Sequence, residues 1–444
     1  MTYQELRAKY PRFIFRNFVW QRIGSDLKVT YNFETPPDHY FKHQMVFKDF
    51  PSGAEPLHYQ DLLFHIGFSL MPSYWKATCS PIIEIQAGAL ASPQIPFWEK
   101  LFIKGMGEYF YQNQIDFAQP KFLNIISAPP SPELGEGIKG EIPKKTPNLH
   151  NKVLIPLGGG KDSIVTLELL KKHYDTAVFM LNPTPSMLKI PVLAGVDKVF
   201  IVQSIIDPYL LELNRQGYLN GHVPFSAFLS FVSLFIAAAT DCSHIALSNE
   251  RSSEEGNTEY LGYTINHQYS KTLEFETDLN RYIAQSLNLS ITYLSFLRPL
   301  YELQITKLFS LYPLYFPVFT SCNRNFMIDP ARHPGKGLWC RKCPKCVSLS
   351  LLLTPFIGKK KVMEIMGGYP LDLPINQVTI NKLTGKLPVK PFECVLTRAE
   401  AQAALEIIQF GQSDQLDQLL SSYFHNPNLP FEFEDILKAN YAGT

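Results

Sequence analysis

Apolar and polar residues alternate along 12–34, "RFIFRNFVWQRIGSDLKVTYNFE", on both sides of Gly24-Ser25-Asp26. A period of two interrupted by a glycine-containing turn predicts a β-hairpin with one buried face. Further on, "IPFWEKLFIKGMGEYFYQ" (95–112) switches to helical spacing, so the chain up to about Phe117 reads as an α+β unit. The pattern then lapses. Ser127 to Asn148, "SAPPSPELGEGIKGEIPKKTPN", is rich in Pro, Gly and charge and reads as a linker.

Beyond it, short apolar runs alternate with helical patterns. Strands are predicted over Val153–Leu157, Ala177–Leu181, Lys198–Val202, His244–Ser248 and Ile291–Phe296, and a helix over Ile164–Lys172. Strands alternating with helices predict an α/β fold with a doubly wound parallel sheet, in which ligands bind beyond the carboxyl ends of the strands. The apolar run Phe225–Ala239 falls short of the ~20 residues needed to span a bilayer and is read as a buried helix. Past the cysteine-rich region the chain is mostly helical. In "LTRAEAQAALEIIQFG", Thr397 and Glu400 fit a capping box and Gly411 a helix stop.

At 444 residues the chain is long enough for more than one domain, and 45% hydrophobic with 18% charged residues describes a globular protein with a large core. A formal net charge of +1 supplies no global field for gripping nucleic acid or an anionic membrane, so neither is expected as a partner. The amino terminus, "MTYQELRAKYPRFIFRNF", lacks an apolar signal core, which predicts a cytoplasmic protein.

Three constellations carry chemistry. In "VLIPLGGGKDSIVTLELLKK" a strand meets Gly158, Gly159 and Gly160, then Lys161, Asp162 and Ser163 open a helix. Such a turn aims successive N–H groups one way and adds the partial positive charge of the helix amino terminus, making an anion site. It is neither the ATPase P-loop, which would need glycine at Ile155 and a hydroxyl residue at Asp162, nor Gly-x-Gly-x-x-Gly. In "ALSNERSSEEGNTEYLGYTINHQYSK" polar residues crowd the end of an apolar strand. There Asn249, Glu250 and Asn257 can ligate magnesium or order a pyrophosphate, and Arg251 can pair with an anion. Finally, Cys322, Cys340, Cys343 and Cys346 are spaced Cys-x17-Cys-x2-Cys-x2-Cys. Four thiolates on two short loops can close a tetrahedron around zinc and leave no place for a catalytic water, so a structural Zn2+ is expected. Cys79, Cys242 and Cys394 fit small buried hydrophobes, and His222, His244 and His267 fit structural roles by default.

The run Gly158 to Ser163 resembles the Ser-Gly-Gly-x-Asp-Ser loop of the PP-loop ATP pyrophosphatases, which cleave ATP between the α and β phosphates; Gly158 stands where that pattern has its first serine, which removes a hydroxyl donor. The cysteine arrangement, with "TSC" ahead of the two short loops, resembles the zinc site of 7-cyano-7-deazaguanine synthase. Together, "PLGGGKDS", "SNERSSEEGN", "NHQYSK", "FLRPLYELQITKLF", "SCNRNF" and "WCRKCPKC" resemble the MurL family of UDP-N-acetylmuramoyl-L-alanyl-L-glutamate epimerases, closely over Val153 to Val347.

That resemblance implies an ATP- and Mg2+-dependent inversion of the terminal L-glutamate of the muramoyl dipeptide, releasing AMP and pyrophosphate. It implies that Gly158 to Ser163 hold the triphosphate. Lys161, Lys271, Arg251 and Arg298 would neutralise phosphate or carboxylate, Asp162 and Glu250 would organise magnesium, and His222, His267 or Cys242 would be the base. The domains expected are an amino-terminal α+β domain (1–126), a linker (127–150), a PP-loop ATP-binding domain (151–320) and a zinc-site and helical region (321–444). Two rivals remain: a PP-loop nucleobase or tRNA-modifying enzyme touching RNA through "RKCPKC" and "GKKK", and a nucleotide-sensing protein without catalysis.

Overall fold

Strands β1 (Arg12–Ile23) and β2 (Asp26–Thr35) form the expected hairpin, closed by a two-residue turn with Gly24 at φ 62°. The computed structural model describes residues 1–127, 150–327 and 337–441. Of the segment 127–150 read as a linker, all but Ser127 and His150 lie outside the described residues. The hairpin grows on both sides. Strand β3 (His39–Phe47) pairs antiparallel with β2, while β4 (Ile82–Ile85) and β5 (Asn124–Ser127) run parallel beyond β1.

The later strands are β6 (His150–Pro156), β7 (Asp175–Leu181), β8 (Val199–Ile205), β9 (Cys242–Leu247), a separate small hairpin of β10 (Thr258–Tyr260) and β11 (Tyr263–Ile265), and β12 (Thr292–Ser295). All but that hairpin join one ten-stranded sheet in the order β12-β9-β6-β7-β8-β3-β2-β1-β4-β5. Its β12-to-β8 half is all parallel. From β6 the chain goes one way to β7 and β8, then returns to β9 and β12 on the other side. The strand order therefore reverses between β6 and β9, where open α/β sheets hold their ligands.

Side chains alternate across this sheet, and both faces are covered. Leu154, Ala177, Phe179, Val202, Ile245 and Tyr293 join one core with the helices Gln60–Trp75 and Phe225–Ala239. Val153, Ile155, Val178, Met180, Ala246 and Leu294 join the other, with the helices Lys161–Leu170, Glu302–Ser310 and Phe431–Tyr441. Two covered faces explain why these strands read as continuous apolar runs. The helix Phe225–Ala239 is sandwiched against the sheet, where each buried Phe or Leu contributes about 1.5–3 kcal/mol. Among the described residues no helix is long and apolar enough to cross a membrane.

The helical run 95–112 is broken at Met106 into Ile95–Gly105 and Gly107–Gln112, and the second piece buries Glu108. Towards the carboxyl end, Thr397 and Glu400 form the capping box and Gly411 ends the helix Arg398–Phe410 at φ 79°, as expected.

Candidate active site

Three loops leave the carboxyl ends of the adjacent strands β6, β9 and β12. The glycine turn after β6 is closely approached by other side chains at two of its positions. Gly159 has φ 81°, and a Cβ there would lie 2.7 Å from Met187 Cγ; a Cβ on Gly160 would lie 2.8 Å from Ser321 Oγ. Gly158 faces open space. Thr320 N donates to Gly159 O at 3.0 Å, so the stretch leading into Cys322 packs against the turn. The helix Lys161–Leu170 then starts without a side-chain cap, leaving first-turn N–H groups for a ligand.

Lys161 turns inward. Its ammonium is paired with Asp162 and lies 3.0 Å from Glu302 Oε2. Ser252 Oγ donates to Glu250 Oε1 at 3.1 Å and lies 3.2 Å from Glu302 Oε1, drawing Glu250 into the same cluster. Burial opposes the charge on Lys161, but Asp162 and Glu302 outweigh it and raise its pKa. Burial raises the Asp162 carboxyl against the pull of Lys161, and the Glu302 and Glu250 carboxylates push it the same way. Three carboxylates thus gather around one buried lysine.

The loop after β9 is tied down by Asn249, whose Nδ2 donates to Ser295 Oγ at 2.9 Å. Arg298, after β12, is fully buried; its guanidinium reaches Glu254, Glu276 Oε2 (2.9 Å), Ser295 Oγ (2.9 Å) and Lys271 O (2.7 Å). Arg251 lies over the rings of Tyr301 (4.6 Å) and Phe424 (5.2 Å). Ser163 Oγ donates to Gly160 O at 3.1 Å, bracing the turn.

A second group of titratable residues adjoins the first. Asn257 Oδ1 accepts from His267 N and its Nδ2 donates to Pro391 O, both at 2.8 Å, which fastens the 266–271 loop to the segment carrying Cys394. There Lys271 Nζ sits 3.1 Å from Cys394 Sγ. His267 Nδ1 hydrogen-bonds Glu108, its ring lies 4.0 Å from that of His222, and its charge acts on Cys394. Glu108, His222 and His267 bring their polar atoms within 4.8 Å of one another. Burial works against charge on His267, but Cys394 and Glu108 outweigh it and raise its pKa to about 9. Burial pushes the Cys394 thiol up, yet Lys271 and His267 bring it down to about 6. His222 is held well below its usual value by burial and then by the charge on His267. Lys271 also feels Glu250 and Asp162, which joins the two groups into one field.

Cys394 is therefore not the small buried hydrophobe its sequence suggested; it keeps part of its surface open. Cys79 and Cys242 are buried as expected, and Cys242 opens β9, at the end of the strand away from the glycine turn. His244 packs on Phe433, with ring centroids 5.1 Å apart.

Cys322, Cys340, Cys343 and Cys346 bring four sulfurs within 4.8 Å of one another, a set that could hold a metal ion. Backbone N–H groups of Cys340, Lys342 and Cys343 point at the Cys322 and Cys340 sulfurs at 3.3–3.4 Å, the contacts that stabilise thiolates. The helix Pro344–Met366 starts inside this cluster.

The model of the MurL N-terminal domain matches residues 4–296, and that of the MurL C-terminal domain matches residues 318–428. The chain is 33% identical over 349 residues to a UDP-N-acetyl-α-D-muramoyl-L-alanyl-L-glutamate epimerase of Micromonospora sp., covering 77% of this chain and 73% of that one. Proteins of the same name from Salinispora tropica (33% identical, 76% and 70% covered) and Xanthomonas oryzae pv. oryzae (31%, 76% and 72%) are also similar.

Proposed function

Since this chain belongs to the MurL family of epimerases, we propose that it inverts the terminal L-glutamate of UDP-N-acetylmuramoyl-L-alanyl-L-glutamate, consuming ATP and releasing AMP and pyrophosphate, to supply D-glutamate in a peptidoglycan precursor. The observation that carries this reading is the buried Lys161 beside an uncapped helix amino terminus, where the strand order reverses. The turn Gly158 to Ser163 receives the triphosphate there, as in the PP-loop enzymes it resembles.

An α-hydrogen beside a free carboxylate is hardly acidic, because its removal puts a second negative charge next to the first. Adenylation lifts that obstacle. The substrate α-carboxylate attacks the α phosphorus of ATP, pyrophosphate leaves, and the acyl-adenylate accepts the electron pair of the broken Cα–H bond as an enolate. A proton returns on the opposite face, and hydrolysis of the anhydride releases AMP. Lys161 and Lys271 supply positive charge where phosphate and carboxylate gather. Asp162, Glu250 and Glu302 offer the carboxylate oxygens that suit Mg2+, which when bound would screen the phosphates. The four-cysteine cluster suits Zn2+, and a closed thiolate set gives that ion a structural role in fixing Thr320-Ser321 against the glycine turn.

The purified protein, given the UDP-muramoyl dipeptide, ATP and magnesium, should yield D-glutamate on chiral analysis of the hydrolysed product, together with AMP and pyrophosphate. ADP and phosphate as products, or no inversion, would refute the reading.

A further inference from the structure

We infer that Cys394 is the catalytic residue that removes the Cα proton from one face of the activated glutamate, held for that task between Lys271 and the His267–Glu108 pair. The assignment rests on the epimerase reading above.

Seven cysteines divide into three kinds. Four make the sulfur cluster. Cys79 and Cys242 are buried, and burial pushes their thiols up, Cys79 to about 11, which makes them inert. Cys394 is partly open, sits 3.1 Å from a lysine, lies in the field of a histidine that a carboxylate backs, and shifts the opposite way. A thiol ordinarily titrates near 8.5, so a pKa near 6 makes Cys394 a thiolate at neutral pH. Charged groups face it from several elements: Lys271, His267, Lys345 and, beyond His267, Glu108 and Glu393. Lys345 also acts on Asp162, so Cys394 and the glycine turn share one electrostatic site. A packing role would require none of these partners.

The step balances. The Cα–H electron pair moves onto the acyl-adenylate as the enolate while the proton passes to Cys394 Sγ. A water on the opposite face protonates Cα and becomes hydroxide, and the hydroxide takes the proton from the thiol, restoring thiolate and water. Asn257 holds the two halves of this arrangement together and is a positioning residue.

The test uses full-length Cys394→Ser and Cys394→Ala. Substrate-dependent ATP–pyrophosphate exchange should stay within about threefold of wild type, which also shows that the variants fold. Inversion and deuterium uptake at Cα should fall by on the order of a hundredfold or more. In wild type, mass-mapped iodoacetamide labelling of Cys394 should rise with a midpoint near pH 6. Inversion near the wild-type rate overturns the assignment, as does loss of exchange together with inversion in both variants. A thioester on Cys394 after acid quench would make it a nucleophile, and a metal ion beyond the sulfur cluster that is lost in His267→Ala would make His267 a ligand; either overturns it. A labelling midpoint near 8.5 does so too. If wild type inverts glutamate without any exchange, the adenylation reading falls, while loss of inversion in the Cys394 variants still supports the proton-transfer role. No inversion by wild type overturns both.

Discussion

Lys161 Nζ stands 3.0 Å from Glu302 Oε2, and the two side chains are 2% and 3% exposed. The pair joins the start of the helix after the glycine turn to the start of the helix Glu302–Ser310. Removing one member of a buried pair strands the other charge, at a cost of about 3–5 kcal/mol. Because Asp162 also partners Lys161, Glu302→Ala should destabilise the protein by about 3 kcal/mol, the lower end of that range, read as a lower urea midpoint. Burial pushes the Glu302 carboxyl up, but Lys161 outweighs it and lowers it below its ordinary 4.5. The contribution is therefore present above about pH 4.5 and is lost as pH falls through the folded value. The gap between wild type and variant should close in acid; a constant gap would contradict the pairing.

The glycine turn makes a graded prediction. Gly159→Ala combines positive φ with a 2.7 Å approach to Met187 Cγ and should cost on the order of 1–3 kcal/mol and most of the ATP–pyrophosphate exchange. Gly158→Ser meets nothing within 4 Å and should leave the melting temperature unchanged while keeping exchange, since it restores the hydroxyl of the pattern the turn resembles. Loss of exchange in Gly158→Ser would argue against a phosphate-binding turn.

Activity should follow the Cys394–His267 pair. Cys394 is lowered to about 6 and His267 raised to about 9, so thiolate and imidazolium coexist between these values. Below that window the thiolate is protonated and cannot accept the Cα proton. Lys271, Lys345, Glu108 and Glu393 surround the pair, and Lys76 reaches His222 beside it. The rate of inversion should therefore rise with pH through an acid limb near 6, and in Lys271→Met that limb should move upward. An unmoved acid limb would show that another group sets it.

Metal analysis should find one zinc ion per chain, absent in Cys343→Ser. That variant should unfold at lower urea, because a structural metal contributes binding free energy to folding. Full metal content in the variant would contradict a four-sulfur site.

The parallel half of the sheet was legible because two covered faces demand unbroken apolar runs, as in Val153–Ile155, and because a glycine turn announces a strand end. The pairing of β3 with β8 was not. Backbone hydrogen bonds opposite Met45 and Ser204 leave no trace in residue type, so the amino-terminal strands gave no sign of sharing that sheet. The site divided in the same way. Gly158 to Ser163 and the four cysteines are local motifs, whereas Cys394 sits in "PFECVL", which has no pattern. Its partner Lys271 is 123 residues away, and Glu108 is 159 residues from His267. Glu302 was equally silent, since its role exists only once Lys161 is folded against it. Arg298, a candidate for an anion, is occupied by Glu254 and Glu276, contacts that spacing alone does not reveal.

The central claim is that ATP makes the glutamate Cα–H removable. Its most direct measurement is mass spectrometry of the product formed in deuterium oxide from UDP-N-acetylmuramoyl-L-alanyl-L-glutamate, with ATP or with its α,β-methylene analogue. With ATP, the D-glutamyl product should carry one deuterium at Cα; with the analogue, which cannot release pyrophosphate, neither inversion nor exchange should occur. Inversion or deuterium uptake with the analogue, or without nucleotide, would contradict it.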